Sequence, residues 1–135
     1  MVTRPGPVLT EDNEGYWLAA REGRLVIQRC ASCGALHHPP RPMCPDCHST
    51  ELDWRQAAGT GTVYSYALLH HPQNPAFTYP VMAVLVELDE GVRLVSNLVE
   101  VDPDEIRIGM AVEVVFEHAG DGFALPVFRP RRAEQ

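Results

Sequence analysis

A chain of 135 residues, 45% hydrophobic and with no apolar run near the roughly 20 residues of a membrane span, has room for one ordinary domain or two small ones. Its net charge of −7 gives it nothing to gain from counterion release on nucleic acid, and the absence of lysine among its 11 basic residues excludes Schiff-base chemistry and a P-loop. Twelve prolines and ten glycines imply many turns, hence short strands rather than long helices.

Residues 1–9 contain Pro5, Gly6 and Pro7 and are expected to be disordered. The segment MVTRPGP has no apolar signal stretch, so the expectation is a cytoplasmic protein with reduced thiols. Thr10 can cap a helix whose first turn carries Glu11, Asp12 and Glu14, where negative charge is favoured. That helix should run to about Glu22 and stop at Gly23. Tyr16 and Trp17 lie within it, bulky enough to need cover: either they pack on the rest of the chain or they form a partner-binding face.

Leu25–Arg29 reads as a strand leading into Cys30-Ala-Ser-Cys33, and ten residues later comes Cys44-Pro-Asp-Cys47. These are the only cysteines. Each pair can set two thiolates on one side of a tight turn, and two facing turns supply the four sulfurs of a closed tetrahedral Zn²⁺ site. Gly34 follows the first pair, where such a knuckle often needs φ > 0, and His48 takes the equivalent place after the second. A disulfide framework is disfavoured in a reducing compartment, a redox motif would need one pair beside a βαβ unit, and a catalytic zinc would keep a position open. His37, His38 and His48 are close in sequence but are not needed as ligands. The reading is a zinc ribbon whose metal replaces the core that so short a unit cannot build. Four thiolates and one Zn²⁺ would bring the net charge to about −9.

Leu52–Gln56 returns as a strand and Ala57-Ala58-Gly59 forms the link. From Gly61 the pattern is β: Thr62–Leu69, Val81–Leu88, Val92–Val99, Val112–Glu117 and Phe123–Phe128, with hairpin turns at Asp89-Glu90-Gly91 and Gly120-Asp121-Gly122. Asp102–Ile106 allows at most one helical turn. Five strands broken between the third and fourth suit a five-stranded OB-type barrel, with an open sandwich as the alternative. The expected organisation is a helix and zinc ribbon over 10–57, a barrel over 58–130 and a tail over 131–135.

A set of short motifs runs along the chain: Gly23-Arg24-Leu25, Gln28-Arg29-Cys30, Cys33-Gly34, Pro40-Arg41-Pro42, Cys44-Pro45 and Cys47. Further on come Gly59–Tyr66, Val86-Glu87-Leu88, Glu90-Gly91, Gly109-Met110, Val112 and Pro126–Pro130. In these motifs together the chain resembles the DUF35 proteins. All four metal positions are kept; His48 stands where the family commonly has glycine. The resemblance implies a mainly β protein, an N-terminal helix and rubredoxin-like zinc ribbon followed by an OB-fold. It also implies an accessory rather than catalytic role beside thiolase-fold acyl-CoA enzymes: thiolases, hydroxymethylglutaryl-CoA synthase, or the aldolases and MaoC-like hydratases of steroid side-chain degradation.

The loop His70–Pro80 is the candidate docking segment, with His70, His71, Phe77 and Tyr79 as contacts. A nucleic-acid-binding OB module, stacking bases on Tyr64, Tyr66 and Phe77, is the runner-up, opposed by the acidic balance. Catalysis by His70 or His71 with Ser65 or Ser96 lacks any spacing that assembles a triad, so no catalytic residue is expected.

Overall fold

A computed structural model of the chain describes residues 7–71, 75, 81–118 and 122–131. The single α-helix among them, α1, spans Glu14–Arg21. It starts three residues later than the sequence suggests, at Glu14 with Asn13 as its cap. Thr10 and Asn13 instead close a turn on themselves, the Thr10 amide donating to Asn13 Oδ1 at 2.8 Å and the Asn13 amide to Thr10 Oγ1 at 3.3 Å. The end is as expected. Gly23 adopts φ +80°, its amide donates to the Ala20 carbonyl, and the Arg24 amide reaches back to Ala19.

Three short strands follow: β1 Val26–Cys30, β2 Leu36–His37 and β3 Leu52–Gln56, in the order β2-β1-β3, all antiparallel. Five more make the second sheet: β4 Thr60–Leu69, β5 Val81–Leu88, β6 Arg93–Asn97, β7 Ala111–His118 and β8 Ala124–Pro130. A 3-10 turn at Pro103–Glu105 lies between β6 and β7, its start capped by the Asp102 side chain. The order β6-β5-β4-β7-β8 is antiparallel throughout, with a bulge at Tyr64 that shifts the β4–β5 register. The sheet then turns on itself. Leu98 meets Phe128 in parallel, the Val99 amide donates to the Phe128 carbonyl at 2.8 Å, and Ser96 Oγ donates to the Pro126 carbonyl at 2.7 Å. That closure separates an OB-type barrel from an open sandwich.

Alternation explains the core. Val84, Val86 and Leu88 on β5, Leu94 on β6, Val63 on β4 and Phe128 on β8 point inward and are buried. They form one cluster with Tyr16 and Ala19 of α1 and Leu25, Val26 and Ile27 of the ribbon. Helix, ribbon and barrel therefore share a single core, and the ribbon is anchored by burial as well as by whatever its cysteines hold. Of the expected features, Phe77, Tyr79, most of the 72–80 loop, residues 1–6, the centre of the last hairpin and residues 132–135 lie outside the described residues.

Candidate metal centre

The two Cys-x-x-Cys turns are built alike. In the first, the Gly34 amide donates to the Cys30 carbonyl at 2.8 Å and the Cys30 amide to the Ala35 carbonyl at 2.9 Å. In the second, the His48 amide donates to the Cys44 carbonyl at 3.0 Å and the Cys44 amide to the Ser49 carbonyl at 2.9 Å. Each turn needs a left-handed residue after its second cysteine, and Gly34 (φ +80°) and His48 (φ +64°) supply it. His48 thus does a glycine's work at some conformational cost, while its ring stays exposed.

Facing each other, the turns gather the sulfurs of Cys30, Cys33, Cys44 and Cys47 within 4.8 Å of one another. Cys30 and Cys47 approach to 3.5 Å and Cys33 and Cys44 to 3.7 Å. A tetrahedron with metal–sulfur bonds of about 2.3 Å has edges of roughly 3.8 Å, so the cage fits a tetrahedral thiolate-bound metal such as Zn²⁺. Cys30 and Cys44 are buried, and Cys33 and Cys47 are exposed. Backbone donors also favour thiolate: the Cys33 amide points at the Cys30 sulfur and the Asp46 amide at the Cys44 sulfur, each at 3.4 Å. The Cys33 amide is the chief reason that the Cys30 thiol is held down at about 6. At Cys33 the Ala35 amide also favours the thiolate, but desolvation and the three other sulfurs outweigh it and push that thiol up to about 12. Four sulfurs this close cannot all ionise without a cation among them, so metal uptake must release protons.

One contact that sequence reading did not find holds the second turn to the first. Gln28 is buried on β1, and its side-chain amide pairs with the main chain of Arg41 like an added ladder rung. Nε2 donates to the Arg41 carbonyl and the Arg41 amide donates to Oε1, both at 2.8 Å. Gln28 lies two residues before Cys30 and Arg41 three before Cys44, so this rung sets the distance between the knuckles. Beside it, Arg29 and Asp53 make a two-pronged ion pair across β1 and β3, at 2.9 and 2.7 Å, with both side chains partly in water. Both ring nitrogens of His37 are buried with no hydrogen-bond partner among the described residues, and desolvation, with Arg41 nearby, holds its pKa below the usual value.

The candidate partner residues fall in different places. Tyr16 is buried and its hydroxyl strongly disfavours ionisation there; Trp17 is half-buried, edge-on to Tyr16 with ring centroids 4.9 Å apart. Both line a groove of about 310 Å³ between α1, the His38-Pro39-Pro40 turn and Val95 of β6. His70 and His71 are exposed beyond the end of β4. Ser96 is committed to the Pro126 carbonyl. Tyr64 carries the Arg93 guanidinium 3.8 Å above its ring.

Residues 17–53 match the family model described as the ChsH2 rubredoxin-like zinc ribbon domain, and residues 54–117 match the ChsH2 C-terminal OB-fold domain. A solved chain described as Ltp2-ChsH2(DUF35) aldolase is 53% identical and superposes with a TM-score of 0.88, over 93% of this chain and 98% of that one. The chain belongs to the DUF35 family. A DUF35 domain-containing scaffold protein of Pyrococcus furiosus is 38% identical over 74% of each chain. The chain is also 54% identical, over 94% of its length, to a probable enoyl-CoA hydratase alpha subunit of Thermomonospora curvata. It is 36% identical, over 82% of its length, to the 3-oxo-4,17-pregnadiene-20-carboxyl-CoA hydratase alpha subunit of Mycobacterium tuberculosis. It spans only 40% and 35% of those two subunits. The lipid and steroid setting is that of the mycobacterial relative. No helix among the described residues is long and apolar enough to cross a membrane.

Proposed function

We propose that this chain is a non-catalytic subunit that docks on a thiolase-fold acyl-CoA enzyme of the aldolase type and supports its assembly and acyl-CoA handling. The observation that carries the reading is the likeness, over almost the whole of both chains, to the DUF35 component of a solved aldolase. The cysteine cage supports a structural role: Cys30, Cys33, Cys44 and Cys47 would hold one Zn²⁺ and leave no open coordination position for substrate or water. When bound, the ion would supply cross-linking and charge neutralisation. The residues around it position backbone, through Gln28 and the paired knuckle turns.

A MaoC-like hydratase chain is a second partner on this reading, because the hydratase alpha subunits carry a unit like this one within a longer chain. The setting would be cytoplasmic, where acyl-CoA esters and reduced thiols coexist. The test is reconstitution with the Ltp2 component of the solved aldolase. The chain alone is expected to leave acyl-CoA esters untouched, and aldol cleavage by Ltp2 is expected to run faster when the chain is added. Turnover by the isolated, metal-loaded chain would overturn the non-catalytic assignment; absence of both binding and rate change would overturn the docking one.

A further inference from the structure

The barrel buries one face of its sheet, and among the described residues part of the other is uncovered. Across β4, β5 and β6, the outward positions form two rows, Ser65–Leu85–Val95 and Ala67–Ala83–Asn97. A solvated face of an antiparallel sheet ordinarily alternates to polar residues. Here it carries Ala67, Ala83, Leu85 and Val95, and 75% of Val95 is exposed. An apolar depression of about 210 Å³ lies among them. Val95 also walls the groove between α1 and Pro39-Pro40, so depression and groove form one strip running from the barrel onto the helix and ribbon. β5 and β6 are the second and third strands of the barrel, the pair on which OB folds bind their ligands.

We propose that this strip is the seat of the partner enzyme subunit, an aldolase-type thiolase-fold chain presenting aliphatic or aromatic side chains within a basic rim; the inference rests on the function proposed above. Charge selects this occupant. Asp12 lines the groove and no lysine or arginine does, while at the other end Glu87 and Arg93, 3.8 Å apart, already satisfy each other. A second copy of the chain would set a net −7 against −7, whereas a partner with arginine or lysine around an apolar patch complements both the strip and its border. An oligonucleotide would meet a floor with one aromatic ring, Tyr66, and no lysine or arginine among its lining residues, while Tyr64 already carries Arg93.

The test is calorimetric titration of the full, zinc-loaded chain with the Ltp2 component of the solved aldolase. Val95→Arg and Ala67→Arg place a charge on exposed positions of the strip; Ile108→Arg does so at a 70% exposed position between the 3-10 turn and β7. Wild type and Ile108→Arg are expected to bind alike. The two strip variants should lose at least about tenfold in affinity, while their melting temperatures stay with the wild type. Undiminished binding by Val95→Arg and Ala67→Arg, with wild type binding, overturns the strip and leaves the proposed function standing. Wild-type failure to bind removes that function and this inference with it. A homodimer that Val95→Arg dissolves would overturn the choice of occupant.

Discussion

Replacing Gln28 by methionine keeps the volume on β1 and removes both hydrogen bonds to the Arg41 main chain. Each intramolecular hydrogen bond is worth about 0.5–1.5 kcal/mol net, and the larger penalty for stranded partners does not apply, because Arg41 is exposed enough to be rehydrated. The expected loss is therefore about 2 kcal/mol. For a chain of this size that lowers the melting temperature by roughly 6–8 °C. The effect should not stop at stability. With the rung gone, the segment carrying Cys44 is tethered to β1 only through the metal, so a chelator should extract zinc faster than from wild type. Gln28→Glu keeps an acceptor for the Arg41 amide but sets a carboxylate against the Arg41 carbonyl, and should be at least as damaging. Thermal scans and chelator-release kinetics on zinc-loaded protein give both readouts. A methionine variant that melts with the wild type and releases zinc at the same rate would refute the reasoning, and the rung would be a passenger.

Cys44→Ser should lose the metal and most of the ribbon's structure, checked by elemental analysis and circular dichroism; full zinc content would remove Cys44 from the ligand set. Gly15→Ala should destabilise by up to about 2 kcal/mol in a denaturant melt, because a Cβ there would enter the Trp54 indole at a cost of about 1–3 kcal/mol, against the roughly 1 kcal/mol that alanine gains in an ordinary helix. Burial lowers the pKa of His38, and desolvation followed by the charge of Arg41 lowers that of His37. The unfolded chain then binds protons more readily, so these groups leave stability untouched well above about pH 6.5 and subtract from it as pH falls below. With zinc saturating, His38→Asn should flatten that acid limb of a stability–pH curve; an unchanged limb would assign it to other groups.

Much of this was legible because the signals are local. The cysteine spacing announces the cage, Gly23 ends the helix, and Leu52–Gln56 and Val81–Leu88 are the strands that β-branched runs and flanking turns suggest. What was hidden is non-local or too short to have a period. β2 is two residues long, Leu36–His37, and exists only because β1 lies beside it. Thr10 does cap a turn, its hydroxyl accepting from the Asn13 amide, but regular helix begins only at Glu14. Gln28 is a polar residue in an apolar strand, with a partner thirteen positions away that no pattern marks. The apolar outer face of β5 was present in the run Val81–Val86, which is hydrophobic at odd and even positions alike. Such a strand asks for cover on both faces, and the described residues provide only one.

The cage and the strip are mechanically one object. Pro39 and Pro40 wall the groove just ahead of Arg41, which Gln28 ties to β1. β1 ends in Cys30, and its Val26 and Ile27 belong to the same core as Val63, Val86 and Phe128 of the barrel. A metal that holds the knuckles together therefore also fixes one wall of the proposed docking surface, through a path of strand, rung and turn. On the proposed function, this would give a zinc ion with no open coordination position a route to influence an acyl-CoA enzyme: it would do no chemistry on the substrate but would shape the surface on which the catalyst sits. It also follows that melting of the ribbon reaches beyond the ribbon itself. Releasing β1 opens the barrel's core, so loss of the metal and loss of the partner should come together rather than in separate steps.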